Sequence, residues 1–356
     1  MAASDQRPTT YGWAVDVTTI ADDLIVLHDG AEVRRYTELS PSTEYDLRAT
    51  QTSPELLVTT LPRPDGALLC TIATVNDVHF GETEAGRVGE SPEGPIQRAR
   101  PGEAPYPETM NRGAIAEISA LDPAAVIVKG DLSQDGEPDE WDAFESNYRG
   151  AFGDRLFVVR GNHDSYQFQQ GYAGDQWIDV PGLGIALLDT VIPGQTTGTL
   201  SAEQLAWLDD RAASADRPVL VMGHHQQWIG STDNGTRGEG YFGLHPDASD
   251  ALDGVAARRK NIIGYTAGHT HRHRVRTMSA AGVPSIEVGC VKDFPGTWAE
   301  YRVYEGGVMQ VVHRISTPDA LDWSERCRHL YSDFGIDYES YALGGIDDRC
   351  FVLSLR

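Results

Sequence analysis

Seven short apolar runs punctuate the middle of the chain: Leu68–Thr74, Ala125–Lys129, Leu156–Val159, Ile185–Leu188, Val219–Met222, Ile262–Tyr265 and Ser285–Val288. Their length predicts strands. The gaps hold apolar positions at helical spacing over Met110–Leu121, Asp139–Tyr148 and Ala202–Ala212. In the last of these, Leu205, Leu208 and Asp209 follow the helical period and Ser201 is placed to cap the first turn. Strands alternating with helices predict an α/β fold. Gly282–Arg314 reads as a run of antiparallel strands.

The two ends follow other patterns. Residues 10–64 carry short alternating runs, Trp13–Thr18, Leu24–His28 and Glu32–Tyr36, with the turn signal Asp29-Gly30 between them. They predict a small all-β unit. Residues 316–356 predict an extension with a helix near Asp319–Tyr331 and a strand at Cys350–Leu355. The expected division is therefore 10–64, 65–315 and 316–356. Gly81–Glu108 and Gln226–Pro246 have no apolar period and predict loops long enough to be functional or disordered.

With 40% hydrophobic residues the chain can bury a sizeable core. It has no apolar run of about 18 residues, the length of a membrane span. The polar start, Met1–Tyr11, points to a cytoplasmic protein. The formal charge is −24, and all but three of the 29 basic residues are arginine. Such a surface repels long nucleic acids. A small phosphorylated substrate is compatible with it, because cations can neutralise the phosphate locally. The four cysteines form no Cys-x-x-Cys pair. Cys70 and Cys290 are expected as buried strand residues. Cys327 and Cys350 could meet, although a cytoplasmic setting argues against a disulfide.

Candidate chemistry sits where the apolar runs stop. The motifs are Asp77-Val78-His79, Gly130-Asp131, Gly161-Asn162-His163-Asp164, Gly223-His224-His225 and Gly268-His269-Thr270-His271. In an open α/β sheet, ligands gather at the carboxyl ends of strands. Asp77 and His79 are two apart, so an extended backbone would turn both to one side, and His269 and His271 likewise. Asp131 offers a carboxylate able to bridge two cations, and Asn162 a neutral carbonyl oxygen. A lone Asp-x-His is an ordinary loop; this many ligands at strand ends is not a satisfied core. The set predicts two divalent or trivalent cations, with Fe, Mn, Zn and Co all suited to it.

The order of these motifs resembles the calcineurin-like metallophosphoesterase superfamily over about residues 66–315. The resemblance implies a four-layer fold, a two-sheet β-sandwich flanked by helices, around a binuclear metal centre. It implies a first metal on Asp77, His79, Asp131 and His271, and a second on Asp131, Asn162, His224 and His269. His163 would contact the substrate phosphate and protonate the leaving oxygen, with Asp164 orienting it. A hydroxide shared by the cations would attack phosphorus opposite the leaving group. Leu200–Leu208 resembles the class III cyclic nucleotide phosphodiesterase branch, which implies a small diester such as a cyclic nucleotide. Gln226-Gln227 stands where that branch often has two prolines. Leu39–Tyr45 and Val58–Pro62 resemble parts of a fibronectin type III module, with Ser42 where glycine is usual, and imply a truncated sandwich.

Alternatives at this stage are a phosphomonoesterase or nucleotidase, and a metal-holding interaction module without catalysis. A homodimer is also an expectation. His225 is a candidate substrate contact, with packing behind the ligands as the other reading; Trp228, Tyr241 and Phe242 are candidates too, with packing within the loop as theirs. Arg87, Arg98 and Arg100 read as a solvated loop. His273 is expected at the surface or behind the ligands. His28, His245, His313 and His329 read as structural.

Overall fold

The computed structural model describes residues 15–48, 55–230 and 241–355. Trp13 and Ala14 of the first predicted strand and residues 231–240 of the second predicted loop lie outside these. Two six-stranded sheets dominate. One runs in the order Arg274–Thr277, Pro284–Glu287, Ile262–Ala267, Val219–Met222, Leu183–Leu187, Gln176–Val180. The other runs Phe351–Ser354, Gly307–Arg314, Thr297–Tyr304, Leu68–Val75, Ala125–Lys129, Leu156–Val159.

Alternation along each strand builds the layers. Ile72, Ile127, Ile185 and Leu220 point inward and form the core between the sheets. Ala73, Val126 and Val128 point outward, against helices Tyr106–Leu121 and Pro318–Arg326. Ala186, Val219 and Val221 meet helices Ala202–Ser214 and Pro246–Arg258 on the far side. Strands buried on both faces are apolar at most positions, hence the near-continuous runs in the sequence. The expected four-layer α/β architecture is borne out.

Several boundaries differ from expectation. The first helix starts at Tyr106, because Pro107 suits a first turn that needs no N–H donor. Asp139–Tyr148 is α-helical only in Pro138–Phe144 and continues as a π-helical turn, Glu145–Arg149. Helix Pro246–Arg258 and strands Gln176–Val180 and Arg274–Thr277 were not expected. Pro284–Glu287 pairs in parallel with Ile262–Ala267, so Gly282–Arg314 is not one antiparallel run. The Ser201 cap is present, its side chain accepting from the Gln204 amide.

The N-terminal part is a three-stranded antiparallel sheet, Asp16–Ile20, Ile25–Asp29 and Glu32–Tyr36, with a separate pair Glu44–Asp46 and Leu57–Thr59. The Tyr45 hydroxyl accepts from the Ser40 amide at 2.9 Å. Ile20, Ile25 and Leu27 run into the same core as the inter-sheet residues. At the other end, Trp323 stacks on Tyr106 at 4.0 Å, and Phe351–Ser354 closes the edge of the second sheet. All four cysteines are free. Cys327 and Cys350 do not meet: they sit in two different cores. Cys70 is half-buried rather than buried, and Cys290 lies in a loop. Among the described residues, no helix is long and apolar enough to cross a membrane.

Candidate metal centre

Five strands deliver the motifs. Asp77 and His79 follow Leu68–Val75, and Asp131 follows Ala125–Lys129. Asn162 follows Leu156–Val159, and His224 follows Val219–Met222. His269 and His271 follow Ile262–Ala267. The chain turns sharply there. Asp77, His79, Asp131, His269 and His271 have φ of 54°, 47°, 50°, 69° and 53°. An extended backbone is therefore not what turns these pairs to one side; each of these five residues sits in a left-handed kink. The preceding glycines allow the approach: a Cβ on Gly161 would strike Asp131, and one on Gly268 would lie 2.7 Å from an Asp77 oxygen.

The lone pairs converge. His79 Nε2 lies 3.5 Å and His224 Nε2 3.3 Å from the same atom, Asp131 Oδ2. Asn162 Oδ1 is 2.9 Å from His224 Nε2, while its amide is spent on the Tyr166 hydroxyl at 2.7 Å. His271 Nε2 is 3.6 Å from Asp77 Oδ1. The Asp77 carboxylate also accepts from the His269 amide at 3.0 Å and from the Asn76 side chain. His79 Nε2 is buried and has no hydrogen-bond partner. Buried acceptors aimed at a common point need a cation or a proton between them. The His and Asp clusters fit metal binding.

In four of the rings the nitrogen facing away is tied. The Lys129 carbonyl accepts from His224 Nδ1 at 2.8 Å, and the Phe242 carbonyl accepts from His269 Nε2 at 2.8 Å. Gln134 holds two rings, its side-chain oxygen taking His79 Nδ1 at 3.2 Å and its carbonyl taking His163 Nδ1 at 2.7 Å. Such partners set which imidazole nitrogen is free to ligate.

Charge inside the cluster is finely opposed. Burial first, then the charge of Asp131, push the Asp77 carboxyl up to about 6 against the pull of His224. Burial also opposes ionisation of Asp131, yet His224 and His163 hold it well below the usual range. Burial disfavours charge on His224, but Asp131 and Asp77 raise it to about 9. The same opposed charges that raise His224 and lower Asp131 are those a cation would meet there. Beneath lies Lys129, whose ammonium reaches Thr266 Oγ1 at 3.0 Å and which burial lowers to about 7.

Some expected contacts fall elsewhere. Asp164 does not orient the His163 ring. Its carboxylate is taken by the amides of Leu132, Ser133 and Gly161 and by the Ser133 hydroxyl, so it fixes the loop after Asp131. Gln134 does the orienting instead. His225 and Trp228, candidate substrate contacts, are buried. His225 bonds Thr190 Oγ1 and the Thr196 carbonyl at 2.7 and 3.1 Å. Trp228 packs edge-on against Tyr241 at 4.9 Å, with its amide on Ser249. Among the described residues, two further rings do meet the cluster: Phe242, 5.1 Å from His269 and 38% exposed, and Tyr166, 4.9 Å from His163. His273 is buried, 3.1 Å from Thr297 Oγ1.

Beside His79, His163 and His271 opens a cleft of ≈ 490 Å³, walled by the first predicted loop, Gln134, Lys292 and Tyr331. Arg87 and Arg98 are paired with Glu84, and Lys292 with Glu82. Gln134 and Lys292 carry no motif, and only the folded chain reveals them.

Over residues 70–273 the chain matches the calcineurin-like phosphoesterase family, and it belongs to that family. A probable cyclic nucleotide phosphodiesterase of Synechococcus is 29% identical over 157 residues, 42% of this chain and 58% of that protein. A cAMP/cGMP dual specificity phosphodiesterase of Mycobacterium tuberculosis is 31% identical over 120 residues, 30% of this chain and 38% of that protein. The chain thus covers less than two thirds of either relative. Among solved structures, a dimetal phosphatase from Danio rerio has a TM-score of 0.55 at 16% identity, covering 70% of this chain and 98% of that one. A purple acid phosphatase from yellow lupin has a TM-score of 0.50 at 14% identity, covering 80% and 60%. These two share the fold.

Proposed function

We propose that the protein is a binuclear metal-dependent phosphodiesterase acting on a small diester such as a cyclic nucleotide. The observation that carries this is the sharing of Asp131 Oδ2 between His79 and His224, at 3.5 and 3.3 Å. One ion would be held by Asp77, His79, Asp131 and His271, and the other by Asp131, Asn162, His224 and His269. When bound, such ions lower the pKa of a water and neutralise phosphoryl oxygens.

The chain's own residues do the rest. His163, half-exposed with Nδ1 bonded to the Gln134 carbonyl, presents Nε2 toward the cleft to protonate the leaving oxygen. Asp164 acts indirectly, by fixing the loop that carries Asp131 and Gln134. The cleft wall favours a diester. Arg87 and Lys292 are already paired with Glu84 and Glu82, and Asp135 adds a further negative charge. Among the described residues that line it, the arginine and lysine side chains are already paired, so none is spare for the second charge of a monoester. The names of the bacterial relatives support the same choice. Four free cysteines suit a reducing, cytoplasmic setting.

The test is hydrolysis of bis-p-nitrophenyl phosphate and p-nitrophenyl phosphate by protein loaded with Mn, Fe, Zn or Co. Faster diester turnover is expected. No diester turnover with any of these metals would sink the proposal; faster monoester turnover would select the phosphatase reading.

A further inference from the structure

Three of the imidazoles assigned to the ions are held by a hydrogen bond on the nitrogen facing away. His271 is not. Its Nδ1 has Asp293 Oδ2 at 3.9 Å. Asp293 is fully buried, and its Oδ2 has no hydrogen-bond partner. Its other oxygen, Oδ1, accepts from the Tyr338 hydroxyl at 2.8 Å and from the Cys290 thiol at 3.2 Å. A buried carboxylate oxygen left without a donor is unfavourable, and the Nδ1 edge of the His271 ring faces this one. Tyr338 belongs to helix Tyr338–Leu343 of the C-terminal segment, and that helix grips the ligand loop directly: the Tyr341 hydroxyl donates to the Thr270 carbonyl at 3.0 Å. Asp293, Tyr338 and Tyr341 all lie beyond the stretch that matches the family.

We propose that Asp293 is the positioning residue for His271, accepting its Nδ1–H and aiming Nε2 at the first ion, with Tyr338 locking the carboxylate in place. The C-terminal segment thereby becomes part of the metal centre. This inference rests on the reading of His271 as a ligand. An imidazole backed by a carboxylate is a firmer and more basic ligand, and removing such a partner typically lowers metal affinity about 10–100-fold.

The experiment measures bound Mn²⁺ per full-length chain against a chelator, and the visible spectrum of the Co²⁺-loaded protein, for Asp293→Asn, Tyr338→Phe and His271→Ala. Asp293→Asn should keep one ion at native affinity and bind the other about 10–100-fold more weakly. Its Co²⁺ spectrum should change, and excess Mn²⁺ should restore turnover at an unaltered KM. Tyr338→Phe should shift the same ion a few-fold. Two tightly held ions in Asp293→Asn would overturn the proposal if His271→Ala has lost one. If His271→Ala also keeps both, the ligand reading itself fails. Loss of a third metal equivalent would make Asp293 a ligand together with His271 and Cys290, whose donor atoms lie within 4.8 Å of one another, and would equally overturn the positioning role. Should Asp293→Asn not fold, Tyr338→Phe decides, and unchanged affinity there counts against the proposal.

Discussion

The imidazoles on the two sides of the centre are held by different means. His224 and His269 lean on main-chain carbonyls, those of Lys129 and Phe242. His79 leans on the Gln134 side chain, and His271 faces the side chain of Asp293. A carbonyl's position follows from the path of the chain and survives any exchange of the residue's side chain. A side-chain brace can be deleted by one substitution. The two halves should therefore differ in how easily they lose an ion.

The harshest test removes what the halves share. Asp131→Asn should strip both ions and abolish diester hydrolysis; retention of one tightly bound ion by metal analysis would break the picture of a common bridge. Next comes a residue outside both halves. His163→Ala should leave metal content intact and slow turnover by about 10²–10⁴-fold. A loss of metal there would mean that His163 is a ligand. Gln134→Ala should sharpen the comparison, weakening only the ion on the His79 side by about tenfold while the His224 side holds. Equal weakening of both ions would erase the distinction.

The smallest effect lies far from either half. His28 is buried between Thr18 Oγ1 and Ser316 Oγ, and burial first, then Arg314, lower it from 6.5 to about 3. The unfolded chain takes up the proton that the folded chain refuses. The contribution of His28 to stability is therefore full above pH 6.5 and falls as pH drops toward 3. The slope is at most about 1.4 kcal/mol per pH unit. His28→Gln should flatten it in denaturant titrations between pH 7 and 5 without touching metal content. An unchanged slope would place the acid sensitivity elsewhere.

The strand ends and the His and Asp side chains gathered at them were legible because each motif closely follows a mostly apolar run. The braces were not. Asp293 and Tyr338 come to His271 only through tertiary packing, from 22 and 67 positions further along the chain. Asp164 follows His163 in the sequence, but its carboxylate is taken by the amides of Gly161, Leu132 and Ser133, and the last two reach it only through folding. Helix Pro246–Arg258 did leave a signal, a proline at its start and Ala248, Leu252, Val255 and Ala256 at helical spacing.

The left-handed kinks of Asp77, His79, Asp131, His269 and His271 set fold against function. For a residue with a side chain, each such conformation costs roughly 1–2 kcal/mol that glycine avoids. Selection for heat resistance alone would thus drift toward glycine at these five places. Its end product would be a sturdier protein with no grip on a cation, and only a screen that scores metal uptake alongside melting would steer clear of it.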